Sequence, residues 1–136
     1  PQNLPLGEAT GLVLAETIIA PADMPAYPQS GMDGYAFSFV PGKVTYALAG
    51  EVAAGSNTEQ PLLPGEAVRI FTGAPVPAGA NTVLMQEKAA VNNGRLTLLD
   101  DKLQPGANVR PKGSEIMAGQ VALPAGTRLT PAAIGF

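Results

Sequence analysis

The stretch Thr82-Val83-Leu84-Met85-Gln86-Glu87-Lys88-Ala89-Ala90-Val91-Asn92-Asn93-Gly94-Arg95-Leu96-Thr97-Leu98-Leu99 decides the fold class. Two strand-forming runs, Thr82 to Ala90 and Leu96 to Leu99, lie either side of Asn93-Gly94. Asn and Gly accept the positive φ angles that a two-residue hairpin turn demands, so the stretch reads as a β-hairpin.

The same punctuation continues outward. Upstream, Leu63-Pro64-Gly65 turns into a strand that runs to Thr72-Gly73. Before it, Lys43 to Val52 and Tyr35 to Val40 read as strands around the Pro41-Gly42 turn, and Ala53-Ala54-Gly55-Ser56-Asn57 marks a break. Residues 21–34 hold Pro21, Pro25, Pro28, Gly31 and Gly34, too many breakers for a helix or a central strand, so this is a structured loop. Nearer the start, residues 4–24 read as a turn of helix and then a strand at the β-branched Thr17-Ile18-Ile19. Downstream, Pro64-Gly65-Glu66-Ala67-Val68-Arg69 is echoed by Pro105-Gly106-Ala107-Asn108-Val109-Arg110, and Pro77-Ala78-Gly79 by Pro124-Ala125-Gly126. The echo fits two related β-arches and equally the recurrence of Pro-Gly turns in any β protein. Thr130-Pro131-Ala132-Ala133 reads as a helix N-cap followed by Pro at the first helical position. The fold class is therefore mainly β, with a small barrel-like module and a short helix start at the C-terminal end.

Composition narrows the function. Of 136 residues, 16 are Gly and 14 Pro, interleaved with short apolar runs, the pattern of short strands and tight turns. Charged residues make up only 14%, which predicts that part of the surface is covered by another domain or subunit. The absence of Cys and His removes disulfides, thiolate metal sites and His-dependent triads. A net charge of −3 with no basic stripe argues against nucleic acid, and no apolar run approaches membrane-spanning length. The default expectation is a soluble cytoplasmic protein. The start at Pro1 without Met and the stop at Phe136 read as cuts from a longer chain.

Three stretches could carry chemistry. Ser30-Gly31-Met32-Asp33-Gly34-Tyr35 sets a carboxylate in a Pro-stiffened loop, where it could meet Mg²⁺, which takes one or two carboxylates besides waters and phosphate oxygens. In Arg69-Ile70-Phe71-Thr72-Gly73-Ala74-Pro75 a strand ends in Thr-Gly, whose hydroxyl and neighbouring N–H groups could face an anion. In Asn108-Val109-Arg110-Pro111-Lys112-Gly113-Ser114-Glu115, Arg110 and Lys112 sit two apart and, on a strand, would point the same way and could receive a phosphate. Taken singly, each has a plain alternative: a turn, a strand end, or charges that guard a sheet edge. Glu87, after Met85-Gln86, falls at a strand end and is a further candidate.

Read together and in order, these motifs resemble the N-terminal half of the molybdopterin molybdenumtransferases of MoeA type, the family that includes the gephyrin E domain. The resemblance runs from Gly11-Leu12-Val13-Leu14-Ala15-Glu16 through Met32-Asp33-Gly34-Tyr35-Ala36, Arg69-Ile70-Phe71-Thr72-Gly73-Ala74-Pro75 and Val83-Leu84-Met85-Gln86-Glu87 to Leu123-Pro124-Ala125-Gly126-Thr127. It implies an elongated linking domain made of residues 1–24 and 113–136, with a β domain of residues 25–112 inserted in it. A catalytic α/β domain and a C-terminal β domain would lie outside this chain. It also implies a homodimer in which the β domain of one subunit faces the α/β domain of the other. The implied reaction inserts molybdenum from molybdate into adenylylated molybdopterin, an anionic pterin, with Mg²⁺ present and AMP released. Such a chain alone would be inactive.

By motif position, Asp33 and Thr72 match the family's catalytic residues. Asp33 would hold Mg²⁺ or polarise the phosphoanhydride, and Thr72 would bind an oxyanion. Ser30, Gly73, Arg110, Lys112 and Glu115 would line the substrate. The sequence departs from the family at Tyr27-Pro28-Gln29-Ser30-Gly31, where Phe-Asp-Asn-Ser-Ala is usual, and at Arg110-Pro111-Lys112, where three arginines are usual. These departures leave a second expectation open, a non-catalytic scaffold derived from the same family.

Overall fold

A computed structural model of the chain describes residues 1–55 and 61–135. Ten strands are found among them: β1 (Ile18–Ile19), β2 (Gln29–Ser30), β3 (Gly34–Phe37), β4 (Thr45–Val52), β5 (Glu66–Ile70), β6 (Thr82–Met85), β7 (Ala89–Asn92), β8 (Arg95–Leu98), β9 (Val109–Arg110) and β10 (Val121–Leu123). A single α-helix, α1 (Pro131–Gly135), and two 3₁₀ turns, Leu6–Glu8 and Gln86–Lys88, complete the described elements. No helix among the described residues is long and apolar enough to cross a membrane. The chain divides into two compact units, one made of Pro1–Met24 and Gly113–Phe136, the other of Pro25–Lys112.

The second unit holds a curled six-stranded sheet in the order β6-β3-β5-β4-β8-β7, and a small β2–β9 pair. Neighbouring strands are antiparallel except β4 and β5, which run parallel. Because the sheet curls, its strands bury residues on both faces, and Ala36 and Phe37 of β3 are both inaccessible. Phe37, Tyr46, Ile70, Val83, Leu84 and Leu96 form the centre of the core, with the Phe37 and Tyr46 rings 4.4 Å apart.

The Asn93-Gly94 hairpin is present between β7 and β8, with φ of 49° and 70° at its two turn residues. The expected single strand from Thr82 to Ala90 is instead two strands split by the 3₁₀ turn Gln86–Lys88. The reason lies in the partner: β6 pairs with β3, the ladder ends at Gly34↔Met85, and the next N–H, that of Gln86, donates to the Asp33 carbonyl at 3.0 Å. The echoed Pro-Gly segments prove to share one turn geometry. Residues 63–66, 77–80, 104–107 and 124–127 each close with a hydrogen bond from the fourth N–H to the first carbonyl. Each has Gly in third place, with φ between 82° and 89° at Gly65, Gly79, Gly106 and Gly126. That is a type II turn, which requires positive φ at this position. The break expected at 53–57 is a turn at Ala54-Gly55; Ser56 and Asn57 lie outside the described residues.

Thr82 is the buried polar residue that joins β6 to the chain before β9. Its hydroxyl donates to Asn81 Oδ1 at 2.8 Å and accepts the Gly106 N–H at 3.0 Å. Thr82→Val keeps the shape but leaves the Gly106 N–H without its acceptor, so a loss of about 1–3 kcal/mol is expected in urea unfolding. An unchanged midpoint would show that the hydroxyl is dispensable.

The first unit is built on antiparallel pairing of its two segments. Val13 bridges Arg128, Ile18 pairs with Leu123, and Met24 bridges Ile116. Thr130 caps α1 through a bond from the Ala133 N–H to Oγ1 at 3.2 Å, as its sequence predicts. The core here is thin. Among the described residues of this unit, only Ala9 and Ala20 are buried hydrophobics, while Leu6 and Val13 are 68% and 63% exposed.

Candidate functional site

β3 lies between β6 and β5 and runs antiparallel to both. The start of β3 is therefore flanked by the ends of its two neighbours, and Gly34 pairs with both Ile70 and Met85. The residues just outside these strand ends, Asp33, Thr72 and Gln86, meet at one end of the sheet.

Gly34 makes this convergence possible. A Cβ on Gly34 would lie 1.8 Å from the Leu84 carbonyl oxygen. The Asp33-Gly34 pair thus marks a place where two backbones touch, and Gly34 opens a strand where an Asp-Gly turn was the plain alternative.

Asp33 is exposed, yet its carboxylate is fixed. Oδ1 accepts the Thr72 N–H at 2.8 Å and the Thr72 hydroxyl at 2.7 Å. Both bonds favour the charged form, the backbone one most, followed by the hydroxyl; with a smaller contribution from the Arg69 charge they hold the Asp33 pKa below its ordinary value. The Thr72 donors, expected from sequence to face an anion, are both directed at Asp33 Oδ1. Oδ2 takes no hydrogen bond among the described residues.

A folded pKa that is depressed gives stabilisation present above the ordinary value and lost as pH falls through the folded one. The Asp33 carboxyl carbon is therefore expected to titrate with a midpoint below 3.8 in an NMR pH series, and Thr72→Val to return it towards 3.8. A wild-type midpoint at or above that value would contradict the bonding described.

The other expected site residues have varied settings. Ser30 is fully buried; its hydroxyl donates to the Met32 carbonyl at 2.6 Å, so it shapes the Asp33 loop from within. Gly73, with φ 81°, donates its N–H to the Ser30 carbonyl at 2.8 Å, tying the Thr72 turn to the same loop. Arg110 is opposite Gln29 in the β2–β9 pair, and its side chain passes close to Gly31. β9 ends at Arg110, so strand alternation does not extend to Lys112, which lies in an exposed turn. Glu115 belongs to the first unit, where its N–H donates to the Met24 carbonyl at 3.0 Å.

Two residues at the site had no role assigned from sequence. The Arg69 guanidinium lies 5.1 Å from the ring centres of both Tyr35 and Phe71, and it donates to Gln86 Oε1. Gln86 in turn donates to Glu87 Oε1 at 3.2 Å. A signal existed: an Arg set between the apolar Val68 and Ile70 of a strand needs a partner for its charge.

A single carboxylate with one free oxygen suits Mg²⁺, which binds proteins through one or two carboxylates and leaves its other positions to water and phosphate. It does not suit a metal held by the protein alone, and no cluster of three or more acidic ligands occurs among the described residues.

Known proteins are similar to this chain in sequence and in structure. The chain matches the family described as "MoeA N-terminal region (domain I and II)" over residues 1–136. It is 35% identical to the molybdopterin molybdenumtransferase of Haemophilus influenzae over 135 residues, covering 98% of this chain and 33% of that protein. Against the protein of the same name from a Nostoc species the identity is 38%, covering 96% of this chain and 31% of the relative. The crystal structure of the molybdopterin biosynthesis MoeA protein of Pyrococcus horikoshii superposes with a TM-score of 0.90 at 31% identity, covering 98% of this chain and 37% of the other. The chain thus spans about a third of the length of the relatives it matches. With every residue inside the family match and a known member of the same structure, the chain belongs to the MoeA N-terminal family.

Proposed function

We infer that this chain is the part of a cytoplasmic molybdopterin molybdenumtransferase that presents Asp33 to adenylylated molybdopterin while molybdenum is inserted from molybdate and AMP leaves. The observation that carries this reading is the two-donor fixing of Asp33 Oδ1 by Thr72, which leaves Oδ2 of this exposed carboxylate without a hydrogen bond among the described residues, at the end of the sheet. A pre-set carboxylate of this kind needs no reorganisation when substrate arrives. Asp33 would give one oxygen to Mg²⁺, and the ion, when bound, would screen the charge of the phosphoanhydride.

The unit of residues 25–112 would be the inserted β domain, and residues 1–24 with 113–136 the linking domain. Asp33 would act in trans, facing the α/β domain of the other subunit in a homodimer. The thin core and exposed Leu6 and Val13 of the first unit favour such a covered surface. Arg110, Lys112 and Glu115 would contribute charge around the anionic pterin.

The test is molybdate-dependent AMP release from adenylylated molybdopterin by the full-length protein. Turnover by that protein, and none by residues 1–136 alone, is the expected result. A folded full-length protein that releases no AMP with both substrates present overturns the reading in favour of a scaffold.

A further inference from the structure

We propose that Arg69 and Gln86 are positioning residues for Asp33, acting as one clamp that closes the site end of the β6-β3-β5 sheet. The proposal deepens the functional reading above, on which its relevance to the reaction rests.

The bonds form a closed circuit. The Gln86 N–H holds the Asp33 carbonyl at 3.0 Å, and the Thr72 N–H and hydroxyl hold the Asp33 carboxylate. Asp33 is therefore gripped at its main chain from the β6 side and at its side chain from the β5 side. Arg69 links the two grips: it stands on β5, three residues before Thr72, and donates across to the Gln86 side chain. A planar guanidinium between two rings has little freedom to swing, so the link has a set length and direction. The charged groups on the elements packed about Asp33 are Arg69 and, at the far end of β5, Glu66, with Glu87 and Lys88 of the turn after β6.

Charge and geometry separate by substitution. Arg69→Lys keeps the positive charge but loses the planar fork. Gln86→Leu keeps Arg69 and removes its acceptor. In the chain of residues 1–136, both variants are expected to speed exchange of the Thr72 amide by about five-fold, the effect of weakening one hydrogen bond in a circuit. Arg69→Gln, which removes the charge as well as the fork, should do the same. Retained amide dispersion elsewhere in the sheet shows that the variants fold. Thr72 exchange unchanged in folded Arg69→Gln and Gln86→Leu would overturn the clamp.

The two readings fail separately. If the variants loosen Asp33 while Asp33→Asn leaves full-length AMP release intact, the clamp stands and the catalytic assignment falls. If Asp33→Asn abolishes release while Arg69→Gln moves nothing at Asp33, the catalytic assignment stands without the clamp.

Discussion

Asp33→Asn in the full-length protein is expected to lower molybdate-dependent AMP release by about 100-fold or more, the scale on which a lost catalytic charge or acid–base group is felt. The substitution is nearly isosteric. An Asn side-chain oxygen can still accept the Thr72 N–H and hydroxyl, so the loop keeps its tether. What disappears is the negative charge, replaced by an amide that donates where the carboxylate accepts. The rate loss therefore reports the charge and not the scaffold, provided that urea unfolding shows the variant as stable as the wild type. Thr72→Val forms the natural companion. It removes the hydroxyl bond and leaves the backbone bond, so a partial loss is expected. Full activity in folded Asp33→Asn would remove this carboxylate from the reaction.

Gly34→Ala is expected to destabilise the second unit by about 3 kcal/mol or more, at the upper end of what a single added methyl does. The 1.8 Å approach of the added carbon to the Leu84 carbonyl oxygen is to backbone, with no flexible side chain to step aside. β3 would have to part from β6, and the Gly34↔Met85 end of that ladder is where Asp33 is anchored. Positive φ is not the issue at this position, so the penalty is one of space alone. Equilibrium unfolding in urea measures it, and a shift of under about 1 kcal/mol would mean that the two strands separate without strain.

Much of this was legible in residues. Asn93-Gly94 forces its hairpin through its own backbone preferences, and Thr130-Pro131 fixes its helix start in the same way; both needed only local rules. The Pro-Gly segments announced turns, and each Gly in them takes the positive φ that a type II turn requires. The end of β6 was different. Nothing in Gln86-Glu87-Lys88 says that the strand must stop at Met85, because the cause lies in Gly34, the first residue of its partner. The site shows the same division. Asp33 and Thr72 were recognisable from their motifs, but that Thr72 spends both donors on Asp33 depends on β3 and β5 being neighbours. Lys112 could not be oriented from sequence, since the alternation rule holds only while the strand lasts, and β9 is two residues long.

The pairing of β2 with β9 has a consequence for the order in which the molecule gains structure. It sets Gln29 beside Arg110, so the entrance and exit of the second unit are neighbours. Until they meet, joining Ile18 to Leu123 means closing a long, floppy ring, at an entropic cost that rises with its length. Afterwards the ring is short, and the thin first unit can zip from Met24 and Ile116 outwards. Amide exchange in β1 and β10 should accordingly never be slower than in β2 and β9. The dependence runs one way: the ends of the chain can fray while the inserted sheet stands, but melting that sheet sets them adrift.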